Sequence, residues 1–316
     1  MDLRQLSALT AVADHRSFSA AARALHTVQS NVSTHIANLE RELGAELVDR
    51  TTGALTEAGE AVVLRARRVQ GELEALGADV ASALGEVSGV VRVGVIGTTG
   101  RWLVPKLLAA LEAAHPKVRL VVVDATTTSL LPQLASGTLD LAVVNLPAVD
   151  PDVDTEVLFE EEHVLLLAHD HPLAERDEIH LAELTDVPLL LEPPGTGFRD
   201  DLDADATRAG ARLVAQAEID GMRLLASLAY QGYGAAILPA SAVVEWTDGT
   251  WEAVTLTGTT PRAVGLATPR RGRLSAPARA TAEVLRAVVA AEVPARPRLH
   301  LPASARTDAG AGATRR

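Results

Sequence analysis

Apolar positions in the N-terminal part of the chain recur three and four residues apart, the period of helices with one buried side. Leu3, Leu6, Leu9 and Val12 or Ala13 mark a first helix. A second runs from about Ser19 to Leu25, where three consecutive alanines leave no bulk to stop another helix crossing closely. A third carries Val32, Ile36, Leu39 and Leu43 on one stripe. Its opposite face presents Gln29, Ser30, Ser33 and Thr34, short polar groups able to bond base edges. The stretch from Ser17 to Gly44 therefore reads as a helix-turn-helix with its third helix placed for a DNA major groove. Any small helical hairpin with an alanine face would show the same pattern.

Further along, Thr56 is a good N-cap, with Glu57 and Glu60 near the positive end of the helix it opens. That helix is long. Val62, Val69, Leu76 and Ala83 occupy one heptad position, and Ala66, Leu73, Val80 and Val87 the other. So narrow a seam asks for a second copy of itself, which makes Val62, Ala66, Val69, Leu73, Leu76 and Val80 the expected dimerisation contacts. A connector helix packed on its own domain is the alternative, since Gly71, Gly77 and Gly85 weaken an isolated helix.

Beyond Ser88-Gly89 the period changes. Strands are expected at Val90 to Ile96, Val118 to Val123, Leu141 to Val144, Val164 to Leu167, Leu189 to Leu191, Val214 to Ile219, Ala235 to Leu238 and Val264 to Ala267. Helices are expected at Leu103 to Ala114, Ser129 to Ser136, Asp201 to Ala209, Met222 to Tyr230 and Ala276 to Val289. Strands alternating with helices predict a parallel sheet with helices on its faces. From Pro294 onward Pro, Arg, Ala and Gly dominate without apolar periodicity, so a disordered tail is expected.

Composition narrows the functional classes. The chain has 316 residues, 47% of them hydrophobic, and no cysteine, which excludes disulfides, thiolate nucleophiles and cysteine-held metals. No basic-then-apolar leader and no apolar run of membrane-spanning length is present, so a soluble, unexported cytoplasmic protein without membrane association is expected. The net charge of −12 argues against polyanion binding by the whole molecule. Between His15 and Leu39, however, there is no carboxylate, while Arg16, Arg23 and three histidines are present. Phosphates would not be repelled there.

The run LRQLSALTAVADHRSFSAAARALHTVQSNVSTHIANLERELGAELVDRT, followed by LTEAGE, resembles the winged helix-turn-helix of the LysR-type transcriptional regulators. The resemblance implies an all-α winged helix-turn-helix over residues 1–59, a linker and dimerisation helix over 60–88, and a two-lobed α/β effector-binding domain over 89–293. That last domain would be like a periplasmic binding protein, and a disordered tail would occupy 294–316. It implies DNA contact through Gln29, Ser30, Ser33, Thr34 and His35, an inverted repeat near a promoter as target, and a homodimer or homotetramer. A small-molecule effector would bind between the lobes; no other cofactor, metal or catalytic residue is expected, and the protein is not expected to be an enzyme. Three departures stand out. Val28 occupies the usual capping position, whose loss costs about 1 kcal/mol unless Thr27 takes over. Thr34 and His35 stand where Arg and Gln are common, and the wing from Arg50 to Thr56 is short.

For the effector, the resemblance points to Thr98 and Thr99, whose hydroxyls and backbone N–H groups at a helix start could hold a carboxylate, and to Thr126 and Thr127. Thr196, Gly197, Arg199 and Asp220 complete the set. Arg199 could clamp an acid bidentately or pair with neighbouring Asp200 and Asp201. A different reading of the same region makes Gly94, Gly97 and Gly100 a dinucleotide-binding turn, with Asp124 on a ribose, as in an NAD(P)-binding oxidoreductase; its spacing is GxxGxxG rather than GxGxxG. His163, His169 and His171 suggest a metal, but Pro172 follows at once and an exposed turn is expected instead.

Overall fold

The computed structural model describes residues 1–243 and 250–303. Three short helices open the chain: α1 (Leu3–His15), α2 (Phe18–Ala24) and α3 (Gln29–Leu43). Asp2 and Gln5 close a capping box at the start of α1, and Ser17 caps α2 through the Ala20 N–H. Gly44, at φ 68°, ends α3 in the left-handed region open to glycine. Val32, Ile36 and Leu39 are fully buried against Leu9, Val12 and Ala21, so the predicted stripe is the inner face. A single antiparallel bridge between Val48 and Leu55 forms the short wing.

Thr56 caps α4 (Glu57–Ala83), which is continuous through Gly71 and Gly77. Its first turns belong to the head: Ala66 is buried there and Val62 packs against the same core. This corrects the expected seam at its start, because the stripe winds under α1 before leaving the head. Val69, Leu73, Leu76 and Val80 then emerge exposed, joined by Leu84.

The remaining chain builds two lobes. The first contains β1 (Gly89–Val95), α5 (Gly97–Ala114), β2 (Val118–Asp124), α6 (Thr127–Ala135), β3 (Leu141–Leu146) and β4 (Val153–Glu161). The second contains β5 (His163–Ala168), β6 (Glu178–His180), β7 (Pro188–Leu191), α7 (Gly197–Ala209), β8 (Val214–Glu218), α8 (Met222–Tyr230), β9 (Ala235–Pro239) and β10 (Trp251–Thr257). The chain then returns to the first lobe as β11 (Arg262–Pro269), α9 (Ala276–Glu292) and β12 (Leu299–His300). Strand order is β12-β4-β11-β3-β1-β2 in one sheet and β6-β10-β5-β9-β7-β8 in the other.

The sheets are mixed, which corrects the all-parallel expectation. β1 pairs in parallel with β2 and β3, whereas β11 runs antiparallel to both β3 and β4. The cause is the double crossing: a strand arriving from the other lobe enters its sheet in the opposite sense. The helices also begin earlier than expected, α5 at Gly97 and α7 at Gly197. The expected tail needs correcting too, since β12 pairs with β4 and Leu299 is buried, so the fold continues past Pro294. The rest of that expectation, residues 304–316, lies outside the described residues.

Alternation places Val164 and Leu166 in the core shared with the first lobe, and Leu165 and Leu167 in a second core beneath α7. Among the described residues no helix is long and apolar enough to cross a membrane.

Candidate DNA-reading head and inter-lobe cleft

On α3, Gln29, Ser30 and Thr34 are exposed, and Ser33 and His35 are half-buried on neighbouring turns. Two of these side chains are already engaged. Ser19 donates its hydroxyl to the Gln29 side-chain oxygen at 2.6 Å, tying α2 to α3. Thr34 donates to the Ser30 carbonyl at 2.8 Å, so its oxygen still has an acceptor lone pair. Val28 makes no capping bond at the start of α3. Thr27 does not replace it, since its hydroxyl accepts instead from the Asn31 side chain at 3.0 Å.

Residues with no motif in the sequence brace the wing. One Glu40 oxygen accepts from the Leu47 and Val48 N–H groups, at 2.9 and 3.3 Å. The other pairs with Arg50, whose guanidinium lies 5.3 Å over the Phe18 ring. In the turn, Asp49 accepts from the Thr52 and Thr51 N–H groups, which holds its carboxyl below the usual range.

Several polar contacts fasten α4 to the first lobe. Arg68 donates Nε to the Ala135 carbonyl at 2.8 Å and reaches Asp152 at 3.3 Å. Glu74 pairs with Arg92 at 3.3 Å, and Asp79 accepts from the Ala276 N–H at 2.7 Å. An open groove of about 890 Å³ separates the two surfaces around these contacts.

The cleft gathers the carboxyl ends of strands from both lobes, where open α/β sheets bind ligands. From the first lobe come Thr98 and Thr99, buried in the first turn of α5, and Thr126 and Thr127 at the start of α6. Thr126 bonds Thr128 and Ser129 rather than the helix backbone, and Thr127 accepts from the Asn145 N–H at 3.0 Å. From the second lobe come Thr196 and Gly197 at the start of α7, and Asp220 before α8. The Thr196 hydroxyl donates to the Pro193 carbonyl at 3.1 Å.

Arg199 is not offered to a ligand. Its Nε donates to Asp203 at 2.9 Å, its Nη1 to the Glu192 carbonyl at 2.8 Å, and Glu218 lies 3.7 Å away. Neither Asp200 nor Asp201 is its partner. Because α7 begins at Gly197, Arg199 and Asp203 stand one helical turn apart and close on each other.

The centre of the cleft was not foreseen. Glu161, fully buried, pairs with Arg262, whose Nε donates at 2.9 Å. Arg262 also donates to Thr98 at 3.0 Å and to Ser241 at 3.3 Å, while the Ser241 N–H donates to Glu161 at 2.7 Å. Burial, with the Arg262 charge nearby, pushes the His163 imidazole down to about 4. Its ring lies 5.4 Å from that of Phe198. At the mouth, Arg223 of α8 pairs with Asp124 of β2 at 2.6 Å, linking the lobes.

These contacts also account for the glycines of the dinucleotide reading. A Cβ on Gly94 would stand 2.6 Å from a Leu130 methyl and 2.8 Å from one of Leu139, and one on Gly100 3.0 Å from Val95. Helix–strand packing, not a pyrophosphate, explains both residues, and Asp124 is engaged by Arg223. His169 lies in the exposed turn after β5 and bonds Glu252 at 2.9 Å. The His171 ring accepts from the Leu173 N–H at 3.2 Å, and no metal-holding cluster occurs among the described residues.

Comparison with known proteins finds two family descriptions along the chain: a bacterial regulatory helix-turn-helix protein of the lysR family over residues 3–60, and a LysR substrate binding domain over 84–290. The DNA-binding transcriptional dual regulator OxyR of Escherichia coli is 35% identical over 246 residues, 77% of this chain and 80% of that protein. A probable hydrogen peroxide-inducible genes activator of Streptomyces viridosporus is 35% identical over 244 residues, 76% of this chain and 78% of its own length. Among solved structures, a full-length OxyR cysteine variant from Pseudomonas aeruginosa superposes with a TM-score of 0.72 at 28% identity, covering 92% of this chain and 94% of that one. Full-length CbnR complexed with its target DNA gives 0.68 at 25% identity, covering 91% and 100%.

Proposed function

Because the chain belongs to the LysR family of DNA-binding transcriptional regulators, we propose that it reads an inverted repeat through the outer face of α3, as a homodimer or homotetramer joined along α4. Gln29, Ser30, Ser33, Thr34 and His35 carry the reading, with Arg23 and Arg50 near the phosphates. The observation behind this reading is the polar outer face of α3 within a stretch that holds no carboxylate from His15 to Leu39. A reading surface built from this acid-free stretch meets a polyanion without local repulsion, while the acidic body keeps contact confined to the head.

A small molecule bound between the lobes modulates this activity, and it acts by binding one arrangement of the heads more tightly than the other. Several relatives are named for induction by hydrogen peroxide. These 316 residues contain no cysteine, so neither thiol oxidation nor a disulfide is open to this chain, and its signal is a bound ligand. We read the protein as a cytoplasmic regulator rather than an enzyme.

Selection of genomic DNA fragments by the purified protein at near-physiological salt, read by sequencing, tests the proposal. Enrichment of a few promoters carrying an inverted repeat is expected, and Ser33→Arg or Gln29→Ala should abolish it with the fold intact. Undiminished enrichment by both variants would refute the role of this helix face.

A further inference from the structure

The charges of the cleft do not balance, and the imbalance has one sign. Each cation there is engaged: Arg262 by Glu161, Arg223 by Asp124, and Arg199 by Asp203 and the Glu192 carbonyl. Two carboxylates have no ion-pair partner among the described residues. Glu192 follows β7, Asp220 follows β8, and the two parallel strands are neighbours in the sheet, so both groups stand on one wall of the cleft. Burial raises the Glu192 carboxyl above its usual range, with the negative charge of Asp220 adding to it, against the opposing pull of the Thr196 hydroxyl and of the Arg262 charge. A half-buried carboxylate near an exposed one of like charge is stabilised by a cation.

A second observation concerns hydrogen bonding. His163, 4% exposed, stands at the crossover between the lobes beside Phe198 in the first turn of α7, and its Nδ1 has no partner among the described residues. The Asn145 side-chain oxygen, at the end of β3 on the facing lobe, has none either, nor has the buried Thr99 hydroxyl. Held neutral, the imidazole can offer a lone pair, as the amide oxygen does. Buried polar atoms are normally satisfied. What would satisfy these, together with the two carboxylates, is a ligand rich in donors.

We infer that the effector carries at least one protonated amine, held by Glu192 and Asp220 and bonded by His163 and Asn145. This rests on the reading of the cleft as the effector site, and it changes the chemistry expected there from an anion to a cation. Arg199, the side chain best suited to clamp an acid, is locked in place as a brace.

The test measures thermal stabilisation and calorimetric affinity of the full-length protein with 1,4-diaminobutane, L-lysine and agmatine, against succinate and glutarate as anions of similar length. Stabilisation by one or more of the amines is expected, with Glu192→Gln or Asp220→Asn weakening it about tenfold. Both variants are near-isosteric, and circular dichroism verifies their fold. Stabilisation by the acids alone, lost in Thr98→Val, would overturn the amine while leaving the effector cleft standing. Amine binding undiminished in the double carboxamide variant, or no stabilisation by any probe, overturns the proposal.

Discussion

Glu161 and Arg262 are register partners on adjacent antiparallel strands at the point where the chain passes between the lobes, and the Glu161 carboxylate has no solvent exposure. Ser241 and Thr98 complete the satisfaction of the pair. A buried pair of this kind is costly to break from one side only, because the remaining charge is left unbalanced. Glu161→Gln and Arg262→Met should each lower unfolding stability in urea by about 3–5 kcal/mol. The double variant should lose clearly less than the sum, and simple additivity would show that the two groups are not coupled.

Acid should weaken the protein through His163. Its pKa falls from 6.5 to about 4 on folding, so below 6.5 the unfolded chain takes up a proton that the folded one refuses. Stability from this source is intact above pH 6.5 and declines until about pH 4. The loss is on the order of 3 kcal/mol. Urea midpoints across this range, compared with those of His163→Gln, should show a shallower decline in the variant. Parallel curves would mean that the imidazole titrates normally.

Val28 begins α3 with no side-chain capping bond and stands largely exposed. Val28→Ser supplies the missing acceptor for an N–H of the first turn. A gain of about 1 kcal/mol in stability of the head is expected, read as slower hydrogen exchange along α3. Unchanged exchange would mean that the first turn is already satisfied by other groups.

Leu73 and Val80 are about half exposed on α4 and belong to none of the three apolar cores. Placing aspartates at both positions sets like charges across any seam formed by two copies. Sedimentation should then report monomers, and an unchanged mass would locate assembly elsewhere.

Local chemistry was legible in the sequence and distant pairing was not. The inner stripe of α3, the Thr56 cap and the heptad run of α4 depend on neighbours within a few turns, and periodicity reveals such neighbours. β4 was hidden because Asp154–Val157 are all exposed and acidic or polar residues dominate it, so no apolar alternation marks the strand. Arg199 was misread for a smaller reason. Starting α7 at Asp201 leaves Arg199 in a loop, whereas the observed start at Gly197 brings Asp203 within its reach. No local signal could find Arg262, whose partner Glu161 is 101 residues away and whose meaning comes only from the double crossing between lobes.

One helix ties the ligand chemistry to the head. At its first residue α6 meets the cleft, where Thr127 accepts from the Asn145 N–H; at its last, the Ala135 carbonyl is gripped by Arg68 of the linker. Nine helical residues span roughly 14 Å. They form a stiff rod with one end among the proposed effector contacts and the other on the stem that carries the proposed DNA-reading helices. With a ligand bound as proposed, a rod so fastened would act as a rocker arm: tilting it at the ligand end would displace the stem, and grasping the stem would in turn bias the ligand end. DNA that fixes the spacing of two heads would therefore tune the affinity of the cleft as surely as the ligand tunes the spacing.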